Sequence, residues 1–191
     1  MVAGGSEIKE VFVVASGAKQ SSGWIAASLA LLAMTGRWGC MRYFLDTEFN
    51  GFGGELISLA LVPEFGDQDY YAVLPLPEKV HGWVERHVVP YLHSVPTGVM
   101  GGTTTRLEAA DEIARYLAGD DDPVIVADWP DDIGYFCHLL VTEPGDMAPV
   151  GTLRFELLRN PGFSVAKNSA VPHNALHDAR ALRDFVLDWE D

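Results

Sequence analysis

The chain has 191 residues, of which 48% are hydrophobic and 10% aromatic, enough for one domain with a substantial core. Its net charge of −14 argues against binding nucleic acid through a broad basic surface, which would need clustered Lys and Arg. The two cysteines, Cys40 and Cys137, show no Cys-x-x-Cys or zinc-ligand spacing, which argues against a disulfide scaffold and favours a reducing, cytoplasmic environment.

The first 40 residues differ from the rest because they are rich in Gly, Ser and Ala. Their apolar run, residues 24–34, is shorter than the about 20 residues that a helix needs to span a bilayer. A secretory signal fits poorly, since acidic residues precede the run and no small-x-small cleavage site follows it. We therefore expect residues 1–40 to be an N-terminal extension, disordered or on the surface, or to precede a natural start at Met41. Residues 41–191 are expected to form the domain.

Three strands are predicted to open this domain. Their segments, 42–48, 56–62 and 70–74, are rich in apolar and β-branched residues, and a glycine-rich turn at 50–54 separates the first two. Consecutive strands with short connections usually pair with each other. The sequence therefore predicts an antiparallel meander.

Helices and further strands are predicted after the meander. Apolar spacing and helix-start patterns predict helices over 79–93, 105–117, 133–140 and 174–189. The apolar run Val124–Ala127 is typical of a buried strand, 152–158 fits either a strand or a short helix, and 161–172 has the composition of a loop. The predicted fold class is α/β.

An Asp-x-Glu pair ends the first predicted strand. Side chains two positions apart on a strand project from the same face, so Asp46 and Glu48 would lie close together. Two adjacent carboxylates repel each other unless a cation lies between them, and Mg²⁺ and Mn²⁺ prefer carboxylate oxygens. The alternative is a strand end that opens into water, where such a pair has no function.

A His-x4-Asp pattern begins the last predicted helix. His173 stands at the helix entrance and Asp178 lies just over one turn further, so both could lean over a common centre. The alternative is that Asn174 caps the helix while Asp178 pairs with a surface cation such as Arg180 or Arg183.

The third acidic element follows the predicted strand Val124–Ala127 and contains Asp128, Asp131 and Asp132. Acidic residues at a helix N-terminus are stabilising without any function, because they interact favourably with the helix dipole. This element alone therefore predicts no chemistry.

The three elements together resemble the DEDDh family of 3'-5' exonucleases. The resemblance covers Met41 to about Trp189 and rests on Asp-x-Glu, a central Asp at a strand-to-helix junction, and His-x4-Asp. Within the family, residues 42–49 are most similar to small bacterial and phage exoribonucleases first described in mycobacteria. The resemblance implies a ribonuclease H-like mixed sheet flanked by helices, with three antiparallel strands followed by further strands.

Site roles follow from the same resemblance. Asp46, Glu48 and Asp178 match the metal-binding acids of the family. His173 matches its general base, which acts on the attacking water. The resemblance implies two ions of Mg²⁺ or Mn²⁺ per active site and a product that is a nucleoside 5'-monophosphate.

The central metal-binding acid is assigned to Asp132. Tyr135 and Phe136 follow it at the spacing where the family has apolar residues. Asp128 stands where many relatives have Asn, and Asp131 where an aromatic residue is common, so both remain rivals.

The substrate pocket of the family is formed by the residues after Asp-x-Glu, which here are Phe49, Asn50, Gly51 and Phe52. Aromatic rings stack the bases of single strands with little sequence preference. The expected partner is therefore the 3' end of single-stranded RNA or DNA, and not a membrane. A plain hairpin turn with a core phenylalanine is the alternative.

Other functions remain open at this point. The chain could be a nucleic-acid or nucleotide-binding module that lost turnover, a related hydrolase of DNA ends or small nucleotides, or an acidic interaction protein. Val80, Trp83 and Val84 share one face of a predicted helix and could serve a homodimer contact or the core.

Overall fold

The computed structural model describes residues 41–190, so the predicted extension, residues 1–40, lies outside the described residues. The strands are β1 (Arg42–Phe49), β2 (Leu56–Pro63), β3 (Tyr70–Val73), β4 (Met100–Thr103), β5 (Val124–Ala127), β6 (Val141–Glu143), β7 (Asp146–Met147) and β8 (Arg154–Leu157). The helices are α1 (Gly82–His87), α2 (Arg106–Leu117), α3 (Pro130–Leu140), α4 (Val165–Asn168) and α5 (Ala175–Glu190), with a 3-10 turn at Val89–Tyr91. Within 41–190, no helix has the length and apolar character that crossing a bilayer requires.

Six strands form one mixed sheet in the order β4-β3-β2-β1-β5-β8. β1, β2 and β3 form the predicted antiparallel meander, whereas β5 runs parallel to β1, β8 to β5, and β4 to β3. The segment 152–158, left open between strand and helix, contains the strand β8. The predicted α/β class with a mixed sheet between helices is confirmed.

Helices cover both faces of the sheet because its central strands are apolar on both faces. Leu45 and Leu59 pack on the face beneath α2 and α3. Phe44 packs on the opposite face beneath α5. Asp46 and Glu48 continue the Phe44 series by alternation, so they project on the α5 side at the end of β1.

Polar contacts fix the position of α5 on the sheet. Arg180 pairs with Asp69 at 2.5 Å, next to the start of β3, where Asp69 is only 3% exposed. Asn174 caps the helix because its side-chain oxygen accepts from the backbone N–H of His177 at 3.3 Å. The first turn of α5, which carries Asp178, is therefore held in place.

The segment 161–172, predicted as a loop, contains the short helix α4. Two other elements differ from the sequence prediction for identifiable reasons. The single helix predicted over 79–93 is wrong, since α1 ends at His87 and Pro90 stands in the following 3-10 turn. Strand β4 was not predicted because its two central residues are glycines. Gly101 has φ +93° there, and a Cβ on it would lie 2.4 Å from the Tyr71 carbonyl oxygen.

Candidate metal centre

The residues predicted for the site lie together at the carboxyl end of β1. Three segments supply them: the end of β1, the junction of β5 with α3, and the start of α5. In each of two groups the potential ligand atoms lie within 4.8 Å of one another, and the groups are Glu48 with His173 and Asp178, and Asp46 with Asp128 and Asp132. Asp46 is repelled by acids of both groups. We call the five carboxylates together the acid cluster.

Asp128 therefore belongs to the cluster together with Asp132, the residue chosen from the sequence. The third candidate, Asp131, lines a neighbouring cleft instead. Asp132 is 3% exposed, whereas Asp128 is partly exposed. Of the three acids that the sequence offered for this position, Asp128 and Asp132 lie in the acid cluster and Asp131 does not.

Thr47 orients Asp132. Its hydroxyl donates to Asp132 Oδ1 at 2.6 Å, and its backbone N–H donates to the same oxygen at 3.2 Å. Thr47 lies between Asp46 and Glu48 but faces the other side of the sheet. One face of β1 therefore carries the two acids, and the opposite face carries the hydroxyl that orients Asp132.

Replacing Thr47 with valine should weaken metal binding by roughly 10–100-fold, the usual effect of removing a group that orients a ligand. The fold should survive because valine keeps the shape and suits a strand. Calorimetric titration with Mn²⁺ measures the affinity, and the exposed Thr103→Val is the matched control. An unchanged Mn²⁺ affinity would remove Thr47 from the site.

Asp178 has an unsatisfied oxygen. The side chain is 2% exposed, and its Oδ2 accepts from the backbone N–H of His173 at 2.9 Å. Its Oδ1 is buried and makes no hydrogen bond of ordinary geometry among residues 41–190, although the nearby Ser169 hydroxyl partly offsets the rise that burial causes in the pKa of the group. The alternative pairing with Arg180 or Arg183 is not observed, because both arginines pair with other acids. A buried carboxylate oxygen without a partner is costly, so this oxygen is a candidate ligand for a cation.

The carboxyl groups of the cluster have raised pKa values, and burial is the largest cause for each. Burial together with the neighbouring carboxylates raises the pKa of Glu48 to about 8 and that of Asp46 well above its usual range. The pKa of Asp132 is raised to about 7, and that of Asp178 to about 6. Asp46 and Glu48 are partly exposed to solvent. All-oxygen donors at a partly open site fit a hard divalent cation such as Mg²⁺ or Mn²⁺.

The metal-free protein should lose stability as the pH rises from about 5 to 8. A carboxyl group with a raised folded-state pKa binds more protons folded than unfolded, so its contribution to the free energy of unfolding falls through this window. We expect a loss on the order of 2 kcal/mol, opposed in part by His173, whose lowered pKa has the opposite effect. Urea denaturation in EDTA at several pH values measures it.

Saturating Mn²⁺ should remove most of this loss, because the ion binds the ionised carboxylates of the folded state. Asp178→Asn supplies the control, since its metal-free stability should depend less on pH. A metal-free stability that rises over the whole window would contradict the raised pKa values.

His173 is held in an unusual conformation beside the cluster. Its φ of +67° lies in the left-handed region, which non-glycine residues adopt at a cost of about 1–3 kcal/mol when the surroundings hold them there. The ring meets Trp83 of α1 edge to face at 4.9 Å. Burial, and secondarily the charge of His87, lowers the pKa of His173. The imidazole is therefore neutral at neutral pH and able to accept a proton.

The predicted substrate-binding residues surround the turn between β1 and β2. Phe49 stacks on Tyr135 of α3 with ring centroids 4.6 Å apart, and Phe52 is 84% exposed. Asn50 accepts from the backbone N–H of His81 at 2.7 Å and so ties the turn to the segment before α1. Gly51 has φ +74°, which the turn requires. Phe52 is thus the residue of the four most available to a ligand.

A cleft of about 450 Å³ adjoins this turn. Its lining includes Gly54, Asp131 and Tyr135, and the Tyr135 hydroxyl donates to the Gly54 carbonyl at 2.8 Å. The members of the acid cluster do not line it. The cleft is therefore a neighbouring space beside the N-terminal half of α3 and outside the acid cluster.

Sequence reasoning missed the contributions of Thr47 and Trp83. Thr47 stands inside the Asp-x-Glu motif, so its position was a usable sign, but its partner is 85 residues away. Trp83 was considered only for the core or a dimer. Val84 is buried in the core, whereas Trp83 is 42% exposed and contacts His173.

The sequence matches no protein-family model, and a search of curated proteins finds no similar sequence. The function is therefore inferred from the residues, their geometry and their charges.

Proposed function

We propose that the chain is a metal-dependent 3'-5' exonuclease of the DEDDh type with a ribonuclease H-like fold, acting on single-stranded RNA or DNA ends. The observation that carries the proposal is the acid cluster with its unpartnered Asp178 oxygen and a neutral His173 beside it. Such a set exceeds what a solvated acidic surface needs, because it buries carboxylates with no Lys or Arg among their hydrogen-bonding partners in residues 41–190.

Two cations would be held by the carboxylates of the cluster, one by Glu48 and Asp178 and the other by Asp128 and Asp132. Asp46, which is repelled by acids of both groups, would serve both cations. Mg²⁺ or Mn²⁺ bound there would supply Lewis acidity toward a phosphodiester and toward a water molecule. The protein supplies positioning: Thr47 holds Asp132, and the His173 backbone holds Asp178.

His173 would take the proton from the attacking water. The water oxygen forms a bond to phosphorus while the bond from phosphorus to the 3' oxygen breaks, and the 3' oxygen takes up a proton from solvent. The products are a nucleoside 5'-monophosphate and a chain shortened by one nucleotide with a new 3' hydroxyl. The exposed ring of Phe52 beside the turn is suited to stacking a base of the terminal nucleotides.

RNA is proposed ahead of DNA because residues 42–49 resemble the small bacterial and phage exoribonucleases. Chromatography of the products from matched RNA and DNA oligomers with Mn²⁺ tests the proposal. Nucleoside 5'-monophosphates from RNA, absent in EDTA, are the expected products. Intact oligomers of both kinds would favour a binding module without turnover.

A further inference from the structure

Arg159 lies beside the acid cluster because of the strand order. β5 and β8 are parallel neighbours with Ala127 opposite Leu157, so the residues that follow them emerge at the same edge of the sheet. Arg159 follows β8 there and donates from Nη1 to the backbone carbonyl of Asp128 at 2.9 Å. Asp128 itself belongs to the acid cluster.

The guanidinium of Arg159 is held in a fixed plane. It lies over the ring of Trp129, with 4.8 Å between Cζ and the ring centroid. Stacking on an indole restricts the side chain and stabilises its charge. The residue is nevertheless exposed at the edge of the site.

Arg159 has hydrogen-bonding capacity that residues 41–190 do not use. A guanidinium carries five N–H donors, and the bond to the Asp128 carbonyl uses one of them. The fork of donors matches the oxygens of a phosphate group, which arginine binds with two parallel bonds. In a chain of net charge −14, a stacked cation beside Asp128 of the acid cluster provides local attraction for an anion.

We propose that Arg159, held on Trp129, binds a phosphate group of the single-stranded substrate at the rim of the acid cluster. The inference rests on the proposed function, because it assigns part of the substrate to the same site. A purely structural role, in which Arg159 only bonds the end of β5 and covers Trp129, would affect stability but not the salt dependence of substrate binding.

Fluorescence anisotropy of a short 5'-labelled single-stranded RNA tests the assignment. Ca²⁺ replaces the catalytic ion so that binding is measured without cleavage. Arg159→Gln keeps a donor for the Asp128 carbonyl but removes the charge, and Arg159→Lys keeps the charge without the planar fork. Arg115→Ala on α2 is the control that removes the same charge away from the site. Arg115 lies near Tyr70, at the other end of the sheet.

Arg159→Gln should bind the RNA roughly 10-fold or more weakly, as expected for the loss of a charge-assisted contact. Its dependence of log K on log salt should be shallower by about 0.7, corresponding to one phosphate contact fewer. Arg159→Lys should fall between the two, and Arg115→Ala should match the wild type.

Equal affinity and an equal salt slope for wild type and Arg159→Gln would overturn the assignment, as would no measurable RNA binding by the wild type. The outcome is separable from that of the proposed function. If the wild type cleaves RNA and Arg159→Gln has no effect on binding, the proposed function is supported and the Arg159 contact is contradicted. If RNA binding depends on Arg159 but no cleavage occurs in Mn²⁺, the contact is supported and the nuclease activity is contradicted.

Discussion

Asp46→Asn should reduce nuclease activity by at least about 1000-fold, because residues that act as a unit lose most of their effect when one is removed. Asp46 lies in one ligand group and is repelled by acids of the other, so its loss affects both. Asparagine keeps the size of the side chain and removes only the charge. Initial rates on single-stranded RNA with Mn²⁺ measure the effect.

The same variant should be more stable than the wild type without metal. Removing one of several buried like charges relieves repulsion, and each unit of raised pKa corresponds to about 1.4 kcal/mol. We expect the free energy of unfolding at pH 8 in EDTA to rise by about 1 kcal/mol or more, and the stabilisation by Mn²⁺ to be largely lost. A variant that is less stable in EDTA and is still stabilised by Mn²⁺ would show that Asp46 has a structural role.

His173→Asn should lower kcat by about 100- to 10,000-fold, the range for loss of a general base. Asparagine is chosen because it tolerates the left-handed conformation that His173 adopts, so the variant should fold. The metal-binding carboxylates all remain, and KM should change little. Steady-state kinetics on RNA separate the two parameters.

His177→Ala is the control for this variant. The residue directly precedes Asp178, but its Nε2 contacts the backbone carbonyl of Ser94 at 2.8 Å. Its removal should leave kcat within about twofold, as for substitutions away from a reacting centre. Equal losses in the two variants would point to a general disturbance of the α5 entrance and against a base at His173.

Local sequence patterns predicted the parts of the fold that depend on local chemistry. Side chains alternate between the two faces of a strand with a fixed period of two residues. The sequence therefore predicts that Phe44, Asp46 and Glu48 share one face of β1, with the two acids at its end. The start of α5 was also predictable, since Asn174 caps the helix as the structural interpretation of this segment predicted. The Asn174 cap and the place of Asp178 in the acid cluster coexist, so the two interpretations of this segment are compatible.

Long-range contacts were beyond the sequence. Asp128 and Asp132 both reach Asp46 because β5 lies next to β1, and no spacing within the segment reveals this. Trp83 contacts His173, and Arg159 contacts Trp129, although the partners are far apart in the sequence. Only the folded arrangement of the elements brings them together. Strand β4 was missed because glycines carry no hydrophobic pattern.

Degradation of a 5'-labelled single-stranded RNA in Mn²⁺ tests the central claim most directly, with EDTA and Asp46→Ala as controls. We predict a ladder of products that shortens by one nucleotide at a time from the 3' end and is absent in both controls. RNA and DNA that stay intact, or a ladder that persists in Asp46→Ala, would contradict a metal-dependent exonuclease at this acid cluster.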